Sequence, residues 1–111
     1  MAELIWTEPA LRDLDAIADY MALDNPLAAR RLVQRVFEHV AQLEAHPESG
    51  SHPPELRRSS RRYRQIVQAP CRVFYRYERA SQKVFVLYVM RGEMHLRKSR
   101  LGKRDRENPM G

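Results

Sequence analysis

The sequence predicts an α+β domain, on three observations: two amphipathic helical stripes in the first half, alternating strands in the second, and a clean change of apolar period between them. Apolar residues recur at helical spacing from Leu11 to Leu43 and at every second position from Tyr63 to Val89. With 111 residues, 43% hydrophobic and 31% charged, the chain suits one domain with a modest two-layer core.

Glu3 to Trp6 reads as a short edge strand. Thr7 stands where an N-cap is needed, with Glu8 and Pro9 in the first turn behind it. The first stripe is Leu11, Leu14, Ile17, Ala18 and Met21, and Asp13, Asp15 and Asp19 lie off it. Asp24-Asn25-Pro26 then breaks the helix, because Asn25 suits an N-cap and Pro26 the first position of a second helix. The second stripe is Ala29, Leu32, Val33, Val36, Phe37, Val40 and Leu43, ended by Pro47 and Gly50. The short connection makes an antiparallel hairpin. Phe37, between Val33 and Val40, is expected to be a core anchor, and His39, two residues on, to be exposed.

Glu48 to Ser60 holds Gly50, Pro53 and Pro54 and reads as a loop. Three strands follow. Tyr63, Gln65 and Val67 alternate with Arg64, Ile66 and Gln68. Cys71, Val73, Tyr75 and Tyr77 alternate with Arg72, Phe74, Arg76 and Glu78. Val84, Val86 and Tyr88 alternate with Phe85, Leu87 and Val89, so this last strand is apolar on both faces and belongs at the centre of an antiparallel meander. The hairpin is expected on one face of the sheet, with the other face more open. Residues 1–96 form the expected domain. Residues 97–111 are a charged tail, read as a short helix weakly held by Leu96 and Leu101 that then frays.

The charge is divided unevenly. Residues 1–50 carry four basic and nine acidic side chains, net −5; residues 51–111 carry sixteen and five, net +11. Seventeen of the twenty bases are arginine, whose planar fork suits phosphate and carboxylate better than lysine's point charge. Either a solvated basic face or contact with an anionic partner fits this asymmetry. A single cysteine, Cys71, excludes an internal disulfide and a cysteine zinc cluster. With no signal-like start and no apolar run of membrane-spanning length, the cytoplasm is the expected compartment and no membrane partner is expected.

Little else carries chemistry. The four glycines are isolated, so no phosphate loop is present. His39, His46, His52 and His95 lack metal-ligand spacing, and neither a metal nor a cofactor is expected. Cys71, within a strand, reads as a small core residue. One constellation remains: Arg64, Arg72, Arg76, Arg91 and Arg97 with His95, which could hold an RNA backbone and move a proton during 2′-OH attack. Arg64, Arg72 and Arg76 can share one side of neighbouring strands, although alternating arginines also describe a solvated face. Tyr63, Tyr75, Tyr77 and Tyr88 fit either base stacking or core packing.

The run Trp6-Thr7, Ala10, Asp13-Leu14, Ile17, Tyr20, Asp24-Asn25-Pro26 and Ala28-Ala29 resembles the helical hairpin of RelE/ParE toxins of type II toxin–antitoxin systems. The likeness continues through Leu43, Pro47, Gly50, Glu55-Leu56-Arg57, Tyr63-Arg64, Val67, Arg72-Val73-Phe74-Tyr75-Arg76 and Val86-Leu87-Tyr88-Val89, over about residues 4–96. It implies a toxin neutralised by a cognate antitoxin that wraps the hairpin and a sheet edge in a hetero-oligomer. ParE-like members poison DNA gyrase; RelE-like members cut mRNA on the ribosome. The tryptophan-led first helix and Asp24-Asn25-Pro26 resemble the ParE branch. No tyrosine follows Tyr88, where many nucleases of the family have one. Met90-Arg91-Gly92-Glu93 departs from the His-Gly-x-Arg that often ends the ParE strand. The ParE likeness implies a gyrase contact through Arg91, Arg97, Lys98 and Arg100, without catalysis. The alternative is an mRNA endonuclease using Arg64, Arg91 and His95, and a third reading is a non-toxic module that only binds antitoxin.

Overall fold

The computed structural model describes residues 1–111. Strand β1 (Glu3–Trp6) leads into helices α1 (Glu8–Ala22) and α2 (Pro26–Ala41). After a short 3₁₀ turn and the expected loop come β2 (Tyr63–Gln68), β3 (Cys71–Glu78), β4 (Lys83–Arg91) and a third helix, α3 (Lys98–Arg106). The sheet order is β1-β4-β3-β2, with β1 parallel to β4 and the meander antiparallel. The doubly apolar β4 is central, as its composition requires. Asn25 caps α2, its side chain accepting from the Ala28 N–H at 3.0 Å. Thr7 behaves otherwise: its hydroxyl donates to the Val86 carbonyl at 2.7 Å, tying the start of α1 to the sheet instead of capping it. No helix is long and apolar enough to cross a membrane.

The hairpin packs on one sheet face over Leu14, Leu32, Val36, Val40, Val73, Tyr75, Val84 and Val86. The other face is not open. Leu96 and Leu101 are buried against Leu56, Tyr63, Phe74, Phe85 and Leu87, so α3 covers it as a third layer. The expected fray after α3 is also absent, since Asn108 is buried. The tail can dock because β4 carries a β-bulge. Phe74 pairs with Tyr88 and Tyr75 with Val86, which leaves Leu87 unpartnered. Past the bulge the alternation inverts: Leu87, Tyr88 and Met90 join the α3 face, and Val89 turns to the hairpin. The extra apolar residue on the α3 face seats the tail.

Two polar clasps fix the bulge and the tail. Asp13 of α1 accepts from the Val89 N–H at 3.1 Å and takes both terminal nitrogens of Arg104 at 2.8 and 2.9 Å. Arg104 donates as well to the Leu87 carbonyl at 2.9 Å, so the backbone groups freed where β1 ends are satisfied. The bond to Asp13 holds the Arg104 guanidinium above its ordinary pKa. Asp105, one residue on, enters the sheet side of α3 and meets Arg76, Tyr63 and Arg62.

Phe37 is not a core anchor. It is 38% exposed, while Val36 beside it is fully buried. Successive helical residues turn by about 100°, so Phe37 lies at the margin of the stripe centred on Val36. There it meets the Trp6 ring, at 4.8 Å between centroids. His39 lies about 60° to the other side of Val36 and is half-buried, its Nδ1 3.2 Å from the Gln68 side-chain oxygen. Phe37→Ala should therefore cost only about 1 kcal/mol, the worth of a partly exposed aromatic pair. Leu32→Ala, 4% exposed, should cost about 2–5 kcal/mol. Parallel thermal melts of the two variants check the order.

Candidate functional site

The site begins where β4 ends. Glu55, in the loop before β2, accepts both terminal nitrogens of Arg72 at 2.7 Å each and the Leu96 N–H at 3.0 Å. Arg72 also bonds the Gln65 side chain at 3.0 and 2.8 Å and reaches the Met94 carbonyl. This network pins residues 94–96 to the sheet and so places His95 and the start of α3. The Arg72 bonds pull the Glu55 carboxyl down to a pKa of about 2, outweighing the opposing effect of burial, and the Leu96 N–H adds to the shift.

Beyond the pinned segment, Tyr88, Met90, His95, Arg97 and Arg100 line a hollow of about 460 Å³. Arg100 donates to the Tyr88 hydroxyl at 2.8 Å, and Arg104 lies over the same ring at 4.4 Å. Arg97 is the N-cap of α3 and makes no side-chain cap bond, and the first turn has no acidic residue. Lys98 and Arg100 add two more cations to the end of the helix where the macrodipole is positive. Together, the exposed cations and free N–H groups favour an anionic partner.

The structure brings Arg97, Lys98, Arg100 and His95 together at this end and separates the rest. Arg91 is on the hairpin side of the sheet, paired with Glu93 at 2.7 Å and facing Tyr20. It borders a different groove of about 420 Å³ with Ile17, Tyr20, Met21 and Pro70. Arg64 also faces the hairpin side, bonded to the Gly50 carbonyl at 2.9 Å. It registers with Tyr75, whereas Arg91 registers with Cys71; four residues separate the two, about 13 Å along the strand. The nuclease trio Arg64, Arg91 and His95 is thus not assembled in this structure. Nor do Arg64, Arg72 and Arg76 share a face, because Arg64 alternates away from the other two. Arg72 and Arg76 are both buried and matched, to Glu55 and Asp105 respectively.

The other candidates are structural. Cys71 is buried, which pushes its thiol pKa up. Tyr63 and Tyr75 are core residues; Tyr75 accepts the Gly50 N–H at 2.9 Å. No group of three His, Cys, Asp or Glu side chains could hold a metal ion. Sequence reasoning missed Glu55, Asp105 and Asp13, which organise the site. A signal existed: only five acids stand among sixteen bases after residue 50, and Glu55, Glu78 and Asp105 are partners of the two buried arginines.

A three-layer α+β chain with a helical hairpin on a mixed sheet, and a basic end beside it, has the form of the toxins of type II toxin–antitoxin systems. The model of the ParE toxin family, of the type II parDE system, matches residues 4–96, and the chain belongs to that family. It is 44% identical to the toxin RelE2 of Caulobacter vibrioides over 50 residues, a match covering 45% of this chain and 57% of that protein. It is 38% identical to Y4kP of Sinorhizobium fredii over 85 residues, 77% of this chain and 82% of the other. Among solved structures, a chain of the chromosomal ParDE system of P. aeruginosa superposes with a TM-score of 0.69 at 27% identity, covering 84% of this chain and 98% of that one. The isolated E. coli RelE toxin shares the fold, with a TM-score of 0.58 at 17% identity over 95% of this chain and 99% of that one. The chain is a type II toxin of the ParE/RelE family.

Proposed function

We propose that this toxin arrests growth by binding DNA gyrase, contributing surface and charge but no chemistry of its own. One observation carries the reading. Arg72 and Arg76, two of the five arginines of the constellation that could hold an RNA backbone, are buried in ion pairs with Glu55 and Asp105 beneath a docked helix. Arg97, Lys98 and Arg100 remain exposed and would meet the gyrase–DNA complex, with Arg91 at the neighbouring strand end. The ParE family match supports the same target. The antitoxin, in this reading, covers the tip of the hairpin, where Tyr20 is 66% and Leu23 81% exposed next to the Arg91 groove. Burial of such side chains by a segment that folds on binding is the expected mode.

A second reading, cleavage of ribosome-bound mRNA, draws on the identity to RelE2 and on the hollow where His95 stands with Arg97 and Arg100. Induction of the chain without antitoxin decides between them. Growth arrest with loss of supercoiling and trapped cleaved DNA is the expected result, and Arg97→Ala/Arg100→Ala should relieve it. Intact supercoiling with cut mRNA would establish the second reading. Normal growth, with soluble protein verified, would leave only a module that binds antitoxin.

A further inference from the structure

A second cationic site lies at the opposite end of the sheet, on residues that neither reading of the toxin's target requires, Arg64 in the nuclease alternative excepted. Arg61, Arg62 and Arg64, at the start of β2, line an open cleft of about 510 Å³. Arg79, in the turn after β3, lines it too, sharing Glu48 with Arg64, and Arg76 of β3 completes the lining. Met90 borders the hollow at the start of α3, while Val84, six residues earlier on β4, registers with Tyr77 in this cleft. The two cationic sites are therefore about 20 Å apart along the strand.

The cleft keeps an excess of positive charge after its internal pairs are counted. Five guanidinium groups face Glu48 and Glu78, with Asp105 behind them. Arg79 binds Glu48 at 2.6 and 2.9 Å and holds that carboxyl below its ordinary pKa. Arg61 takes part in no ion pair, and neither do Arg57 and Arg58 on the exposed loop leading to it. Arg61 is free of ion pairs and Arg62 is held only through Nε, which leaves terminal nitrogens that match the geometry of phosphate oxygens.

We propose that this cleft binds the phosphodiester backbone of a nucleic-acid strand. The arginines do not converge on one point. They come from two segments, the start of β2 and the turn after β3, and Arg57 and Arg58 stand exposed on the loop before them, a spread that suits successive phosphates along a strand rather than one free anion. Such contacts carry no base preference and depend strongly on salt.

Fluorescence anisotropy of the full-length chain with labelled single-stranded RNA, single-stranded DNA and duplex, over a salt series, tests this. At least one of the three should bind. Arg61→Ala/Arg79→Ala removes two exposed cations, and should weaken binding about tenfold and flatten the salt slope by roughly 1.4–1.8. Arg57→Ala/Arg58→Ala, on the exposed loop, gives a second pair with a smaller loss in the same direction, and a thermal melt checks that each variant is folded. No binding by the wild-type chain, or unchanged affinity and slope in folded variants of both pairs, would overturn the proposal. Displacement of the strand by inorganic phosphate at constant ionic strength would overturn it too, and would point to a site for a single phosphate group. None of these readouts involves growth, gyrase or translation, so this proposal and the toxin reading stand or fall separately.

Discussion

Asp105→Ala is expected to destabilise the protein by about 3–5 kcal/mol, the cost of removing one partner from a buried ion pair. Its carboxylate accepts from Arg76 Nε at 2.9 Å and from Arg62 Nε and the Tyr63 hydroxyl at 3.0 Å each. Without it the Arg76 side chain, 6% exposed, keeps only Glu78 at 3.2 Å. The Phe85 ring against which Arg76 lies cannot replace a carboxylate. A small domain has only ~5–15 kcal/mol in all, so much of the population should lose its tail or unfold. Arg76→Met in the Asp105→Ala background should recover a large part of the loss, because the stranded charge goes with it. Urea melts of the two variants measure both effects; an unchanged midpoint for Asp105→Ala would mean that α3 does not dock in solution.

Glu55→Ala should cost a similar amount, about 3–5 kcal/mol, since it strands Arg72, whose side chain is 9% exposed. It should also release residues 94–96, which hang from Glu55 through the Leu96 N–H. The same pair predicts an acid limb in the stability curve. The folded Glu55 carboxyl titrates at about 2 and the unfolded one near its ordinary 4.5. Its contribution is complete above the unfolded value and disappears as pH falls from there toward 2. Wild-type melting temperature should drop across that window, and Glu55→Gln should show a shallower drop. Parallel slopes in the two proteins would assign acid sensitivity to other carboxylates.

Local pattern carried much of this fold. The hairpin follows from two stripes and Asn25-Pro26, and the central place of β4 from a strand apolar on both sides. What escaped was non-local. The bulge at Leu87 leaves no mark in an alternating run of Val, Phe, Leu and Tyr, because either reading of Tyr88 and Val89 puts an apolar residue on each face. Phe37 and Val33 look equivalent in a stripe, and only the position of the sheet decides which one is covered. The tail looked frayed because α3 is mostly charged, with Leu101 its one fully buried apolar residue. It is held as much by Arg104 and Asp105, whose partners lie 91 and 29 residues away in Asp13 and Arg76. At the candidate site, the cations of α3 were legible as a cluster. The burial of Arg72 and Arg76 was not, since an arginine opposite an acid distant in sequence reads the same as one facing water.

The order of the elements along the chain has a consequence for the newborn protein. Every strand and both helices of the hairpin precede α3, so the hairpin side of the sheet can close before α3 is available. The side bearing Tyr63, Phe74, Phe85 and Leu87 stays wet until residues 96–105 have left the ribosome. During that interval Arg72 and Arg76 stand on the wet side, Arg72 without the Met94 carbonyl and Arg76 without Asp105. A nascent toxin therefore passes through a stage with one finished apolar wall and one bare one, and is sticky at that stage. Released chains that end between Arg91 and Lys98 should bind a hydrophobic dye and chaperones, whereas released chains that end after Asn108 should bind neither.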